Sequence, residues 1–195
     1  MTTSTHLNEF LARYTGAARL SPGSSTSAAL TAAEIAAVRA AGLPASVPTT
    51  PWTRADVARL VQLREFAAAA PAEVTAMALA CFEQGDASEQ TSWCRAVSLL
   101  PQPKQYLPVV IDACRTNILP LFESIACENT YPADFFPERN FNQVVLKAMF
   151  NGIALSRIVG LASRRNAELA RMAADYAAER TAAGRAVPAD IALAQ

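Results

Sequence analysis

Apolar residues recur along most of this chain at spacings of three and four, and nowhere do they alternate with polar ones over several positions as half-buried strands would. The pattern predicts helices over residues 5–19, 31–41, 53–69, 72–84, 87–100, 105–117, 119–127, 138–151 and 167–183. Two entrances carry capping-box spacing, Thr31 with Glu34 and Asp86 with Glu89, in which side chain and backbone satisfy each other's free donors. Gly42, Gly85, Gly152 and Gly184 fall where helices should end, a place for the left-handed backbone of a C-cap. The fold class expected is therefore all-α, as stacked helical hairpins of α-solenoid type or as an irregular bundle. Ala80-Cys81 to Ala113-Cys114, and Cys94 to Cys127, are each separated by 33 residues, a period of helical-hairpin repeats, though the residues between do not align.

Two stretches interrupt the pattern. Residues 21–27 form a Ser/Gly/Pro loop, and residues 43–52, with Pro44, Pro48 and Pro51, read as a stiff linker in which prolines block helix. A seam there separates residues 1–50, an N-terminal helical segment with its Pro-rich linker, from a main helical domain over 51–195. Residues 1–27, rich in Thr and Ser, are expected to contribute little to any site.

Composition narrows the function classes. A chain of 195 residues, 52% of them hydrophobic, needs neither disulfide nor metal to bury a core. Its 17 basic and 17 acidic residues cancel, so it lacks the basic field that gathers nucleic acid. No run approaches the roughly 18–20 apolar residues of a membrane span, and the first ten residues lack a secretory layout, so the cytoplasm is the expected compartment. Cys81, Cys94, Cys114 and Cys127 stand 13, 20 and 13 residues apart, which suits reduced core thiols better than a metal knuckle. The seven glycines build no Rossmann or Walker loop, and His6 is the single histidine, so no cofactor and no metal are expected.

The most informative chemistry lies between residues 113 and 191. In ILPLFESIAC, residues 118–127, Glu123 is the one charge among residues that suit a core, so it must be paired, be protonated or face water. Arg115 and Lys147 are the candidate partners. On the following long helix Phe141, Val144, Val145, Ala148 and Met149 make an apolar face, while Asn140, Gln143, Lys147 and Asn151 make a stripe of amides around one cation. Such amides suit a ligand's hydroxyl or carbonyl groups, or simply bond neighbouring helix ends. Between the two, ENTYPADFFP over residues 128–137 reads as a proline-stiffened aromatic loop, either a pocket wall or plain packing. Arg115, Asn117, Glu123, Asn142, Gln143 and Lys147 are accordingly the candidate ligand-binding set, with Glu123 the best acid–base candidate. Asn142 and Gln143 lie about 100° apart around their helix, so both cannot point fully inward. The last helix, with Asn166 as N-cap, Glu168 in its first turn and Arg171 four residues before Asp175, reads as a solvated cap.

Residues 113–161, ACRTNILPLFESIACENTYPADFFPERNFNQVVLKAMFNGIALSRIVGL, followed by NAELARMAADYAAERTAAGRAVP, resemble the EboA family closely; the earlier residues do so only through their helical character. The resemblance implies an α-helical accessory protein of bacterial secondary-metabolite gene clusters, serving metabolite traffic and the movement of precursors towards the periplasm. It transfers no catalytic residues. Ala162-Ser163-Arg164-Arg165 departs from the family, whose members tend to carry an acidic residue near that helix entrance. Three readings stay open, in this order: a protein that binds a small-molecule metabolite or hands it to other proteins of its cluster, a small acid–base enzyme of isomerase or dehydratase type, and a non-catalytic scaffold.

Overall fold

Side chains that satisfy the first free backbone donors start four of the described helices, at Thr31, Thr53, Asp86 and Asn166. The computed structural model describes residues 9, 10, 12–14 and 29–195, of which 9, 10 and 12–14 are helical. The rest of the helix expected over 5–19, the 21–27 loop and His6 lie outside the described residues. Thr31 and Asp86 cap α1 (Ala32–Ala40) and α4 (Ala87–Ala96), with Glu34 and Glu89 returning to the cap backbone as the spacing predicts. A third box, Thr53 with Asp56, opens α2 (Arg54–Ala69), where the acid at the return position is an aspartate. The remaining helices are α3 (Val74–Gln84), α5 (Leu107–Ala113), α6 (Leu119–Ala126), α7 (Tyr131–Phe135), α8 (Glu138–Phe150), α9 (Leu161–Arg164) and α10 (Ala167–Ala182). The described residues contain no strand, and no described helix is long and apolar enough to cross a membrane.

Prolines shorten two of the expected helices. The one predicted over 87–100 passes into a 3-10 turn at Val97–Leu99 before Pro101, and the one predicted over 105–117 begins as a 3-10 turn at Pro103–Tyr106. Gly42, Gly152 and Gly184 take the positive φ expected of them, whereas Gly85 is extended at φ −73°. Its glycine has a steric cause instead, since a Cβ there would stand 2.7 Å from the Cys81 carbonyl oxygen.

The chain divides into two compact units, Met1–Ser124 and Ile125–Gln195. In the first, α1 packs on α2, and α4 takes both α2 and α3. Trp93 of α4 is fully buried, with the rings of Phe82 and Tyr106 at 5.0 and 5.4 Å. The Pro-rich stretch packs here, burying Leu43, Val47 and Trp52. Arg39 holds it by donating to the carbonyls of Leu43, Pro44 and Val47, and Arg64 donates to those of Ala41 and Leu99.

In the second unit α8 packs on α10, and a terminal 3-10 turn, Ile191–Ala194, packs on α9 and α10. The apolar face expected of α8 is buried throughout, and the Tyr176 hydroxyl of α10 donates to the Met149 carbonyl at 3.0 Å. The stretch expected as an aromatic loop contains α7, which buries Tyr131 and Pro132. Arg164 fixes it by donating to the carbonyls of Ala133 and Phe136 while its guanidinium stands 4.8 Å over the Phe141 ring. Arg164 thus supplies a structural clamp.

Candidate functional site

Along α2, Arg59, Gln62, Phe66 and Ala69 advance by three, four and three residues, which places them on one helix face. The described N-terminal residues lie against that face. Phe10 meets Phe66 at 5.0 Å between ring centroids, and Tyr14, one turn on, has the Arg59 guanidinium 5.7 Å from its ring centre. Arg59 also donates through Nε to the Tyr14 carbonyl at 3.4 Å. Phe10 is 4% exposed and Tyr14 1% exposed, so this segment is core.

One end of the face is a buried ionic network. Asp56, Arg59, Glu89 and Ser92 are all buried. Ser92 accepts from Arg59 Nη1 at 2.7 Å and donates to Asp56 Oδ1 at 2.5 Å. Asp56 Oδ2 takes Arg95 at 2.5 Å and its own cap N–H at Thr53 at 2.7 Å. Glu89 lies 3.8 Å from Arg59 Nη2 and accepts the Asp86 N–H at 2.9 Å. The return acids of two capping boxes therefore serve a second time as counter-ions, and charges that would each cost several kcal/mol if buried alone are paired and hydrogen-bonded. Beside them, burial pushes the Tyr14 phenol well up, with Cys81, Glu89 and Cys94 adding to the shift and Arg59 opposing it. Burial likewise pushes the Cys81 thiol up to about 12, so this buried thiol is no ready nucleophile.

The other end is open. A cleft of about 380 Å³ is lined by Phe10, Arg13, Gln62, Glu65, Phe66 and Ala69. Its volume falls within the roughly 300–1,000 Å³ of small-molecule sites. The Gln62 Oε1 atom is buried with no hydrogen-bond partner among the described residues. An acceptor left in that state costs about 1–3 kcal/mol, which a ligand donor would recover. Phe10 and Arg13 come from residues 1–27, which are expected from sequence to contribute little to any site.

The residues singled out from sequence fall in both units. Arg115 is exposed and pairs with Asp112 at 3.0 Å, a neighbour three residues back. Asn117 is exposed, and Glu123 is half-buried on α6 between buried Phe122 and Ser124. Ser124 points inward and donates to the Leu121 carbonyl at 2.7 Å. In the second unit Asn142 is buried and exchanges reciprocal amide hydrogen bonds with Asn166, at 3.0 and 2.9 Å, while Gln143 is exposed. Lys147 is half-buried, and its carbonyl accepts from the Asn151 amide at 2.8 Å, so part of the amide stripe serves its own helix. Asn166 caps α10 as expected, and the Glu168–Arg171–Asp175 pairs form on its surface.

Sequence reasoning passed over Asp56, Arg59, Gln62 and Ser92, and took Glu89 only as a capping acid, because each sits in a helix whose polar residues look solvent-facing. The available signal was Thr53 followed three residues later by Asp56, which marks a second acid held at a helix entrance. Among the described residues no group of three or more His, Cys, Asp or Glu could hold a metal ion. No curated protein and no solved structure gives a match. The family described as metabolite traffic protein EboA matches residues 2–194, both units and the N-terminal segment included. With all but its two end residues inside that match, the chain belongs to the EboA family.

Proposed function

We propose that the chain serves metabolite traffic by binding a small-molecule intermediate reversibly in the Phe10–Phe66 cleft and releasing it unconverted to other proteins of its gene cluster, in the cytoplasm. The observation that carries this reading is the buried Gln62 Oε1 on the cleft wall, unpartnered among the described residues. Phe10 and Phe66 would cover the apolar body of the guest, at about 25 cal/mol per Å² of apolar surface removed from water. Arg13 and Glu65, exposed at the same cleft, would set its orientation. A cleft open to water on one side favours exchange, which traffic needs and covalent chemistry does not.

Thermal-shift and calorimetric screening of the full chain against the intermediates of its gene cluster tests the proposal. The expected result is saturable binding without turnover, weakened about tenfold by Gln62→Leu, the loss of one good hydrogen bond. Binding untouched by Gln62→Leu would overturn the cleft as the site. Glu123, the candidate acid–base group, separates carrying from converting: turnover that disappears in Glu123→Gln would replace the traffic reading with an enzymatic one.

A further inference from the structure

Resting on that reading of the cleft, we infer that its ligand is a small amphoteric aromatic molecule, one that carries a cationic nitrogen and a carboxylate on a flat apolar body. The wall chemistry points there from three sides. Phe10 and Phe66 meet at 5.0 Å with planes inclined by 58°, so a third ring entering the cleft can complete an edge-to-face cluster of the kind aromatic side chains prefer. Arg13 and Glu65 bring opposite charges to the same small opening, and neither forms an ion pair with another of the described residues. A purely anionic guest would meet Glu65, a purely cationic one would meet Arg13, and a neutral one would leave both charges unused. A guest with both charges matches each with its complement, through a charge-assisted hydrogen bond of the stronger kind.

Gln62 supplies the third contact. Its Oε1 is buried where the exposed carboxylate of Glu65, three residues further along the same face, leaves off. An ammonium has three N–H donors, enough to reach a carboxylate and a carboxamide oxygen together, whereas a single hydroxyl has one. The carboxylate then falls to the Arg13 guanidinium, which presents paired N–H donors to it. The charged contacts, Arg13 and Glu65, are exposed at the edge of the cleft, so the guest is held by modest interactions and remains exchangeable.

Three probes separate these contributions: L-phenylalanine, its methyl ester, which lacks the carboxylate, and 3-phenylpropionate, which lacks the ammonium. Titration calorimetry on the full chain should show phenylalanine binding about tenfold more tightly than either analogue. Glu65→Gln should erase the preference over 3-phenylpropionate, and Arg13→Gln the preference over the ester. Both positions are exposed, so neither variant threatens the fold. Equal binding of the three probes, or binding of none, overturns the ligand class. If none binds while a cluster intermediate still binds in a Gln62-dependent way, the cleft reading survives without this inference. If Gln62→Leu leaves every binding event unchanged, the cleft reading itself falls.

Discussion

Replacing Arg59 with methionine should cost the fold about 3–5 kcal/mol, the usual penalty for removing one partner of a buried ionic group. The side chain is 3% exposed and makes four contacts: Ser92 Oγ at 2.7 Å, the Tyr14 carbonyl at 3.4 Å, Glu89 at 3.8 Å and the Tyr14 ring. Methionine keeps most of the apolar stem, so packing contributes little to the loss. The damage is electrostatic, because Glu89, with a side chain 7% exposed, loses its cation and retains only the Asp86 N–H. Asp56 keeps Arg95, Ser92 and the Thr53 N–H and should remain satisfied. Urea unfolding followed by far-ultraviolet circular dichroism gives the number. Glu89→Gln, which retains an oxygen for the cap N–H, provides the second edge of a double-mutant cycle. The double variant should be more stable than the sum of the single losses implies, with a coupling of about 1–3 kcal/mol. A loss below about 1 kcal/mol in Arg59→Met, or additive losses in the cycle, would refute the claim that these charges depend on each other. Arg171→Ala is the control, since that arginine is 60% exposed in its pairs with Glu168 and Asp175 and should leave the unfolding midpoint in place.

Alkaline pH should destabilise the protein in a way that Cys81→Ala reduces. The unfolded thiol ionises near its ordinary value of 9.0 while the buried one holds its proton to about 12. Stability therefore falls by about 1.4 kcal/mol per pH unit as pH rises through that window, and the measured slope above pH 9 should flatten by that amount in the variant. Gly160→Ala should be far worse than Gly184→Ala. Both have positive φ, at 76° and 66°, but a Cβ at Gly160 would stand 2.5 Å from the Ala133 Cβ whereas Gly184 faces open space. Overpacking adds about 1–3 kcal/mol to the roughly 1 kcal/mol of backbone strain, and paired melting curves check the difference. Asn166→Ala should cost about 2–4 kcal/mol, because it removes the α10 cap at Leu169 and leaves the Asn142 amide without its partner. Asn166→Ser should recover the capping part alone; full recovery of stability in that variant would show that the Asn142 pairing contributes nothing.

Helix class and most helix entrances were legible because they are local facts. Thr31, Asp86 and Asn166 bind backbone N–H groups two or three residues away, so spacing alone exposes them. The α8 face was legible for the same reason, its apolar residues repeating with the helix period. The ionic network was not, because Asp56–Ser92, Arg59–Ser92 and Asp56–Arg95 join residues 33–39 positions apart. In composition α4, ASEQTSWCRA, is mostly polar, yet Glu89, Ser92, Trp93, Cys94 and Ala96 are buried in it. A polar residue in a helix counts as solvent-facing until something distant neutralises it, and no pattern along the chain shows that. In the Pro-rich stretch prolines do block helix, and its anchoring is again out of reach of the local pattern, since Arg39 takes the carbonyls of Leu43, Pro44 and Val47.

The α2 face separates two kinds of polar group that look alike in sequence. Arg59 and Gln62 stand one turn apart, both within the packed side of the helix and both flanked by apolar residues. Arg59 finds acceptors for its guanidinium on two other segments, so its burial is compensated within the fold, and what it offers is stability. Gln62 has a buried oxygen with no donor among the described residues, so its burial is uncompensated there, and the fold tolerates that only as a small net cost. Natural chains leave few such atoms, and those that persist ask for a cause. Here the orphan opens on a cleft beside two aromatic rings and two charges with no ion pair among the described residues, so the group that weakens the fold is also the one a guest would complete. The same face is closed by Tyr14 and Phe10, which ties the N-terminal segment to the stability of the ionic end and to the shape of the open end. A chain without the segment would lose an acceptor for Arg59 and one wall of the cleft together.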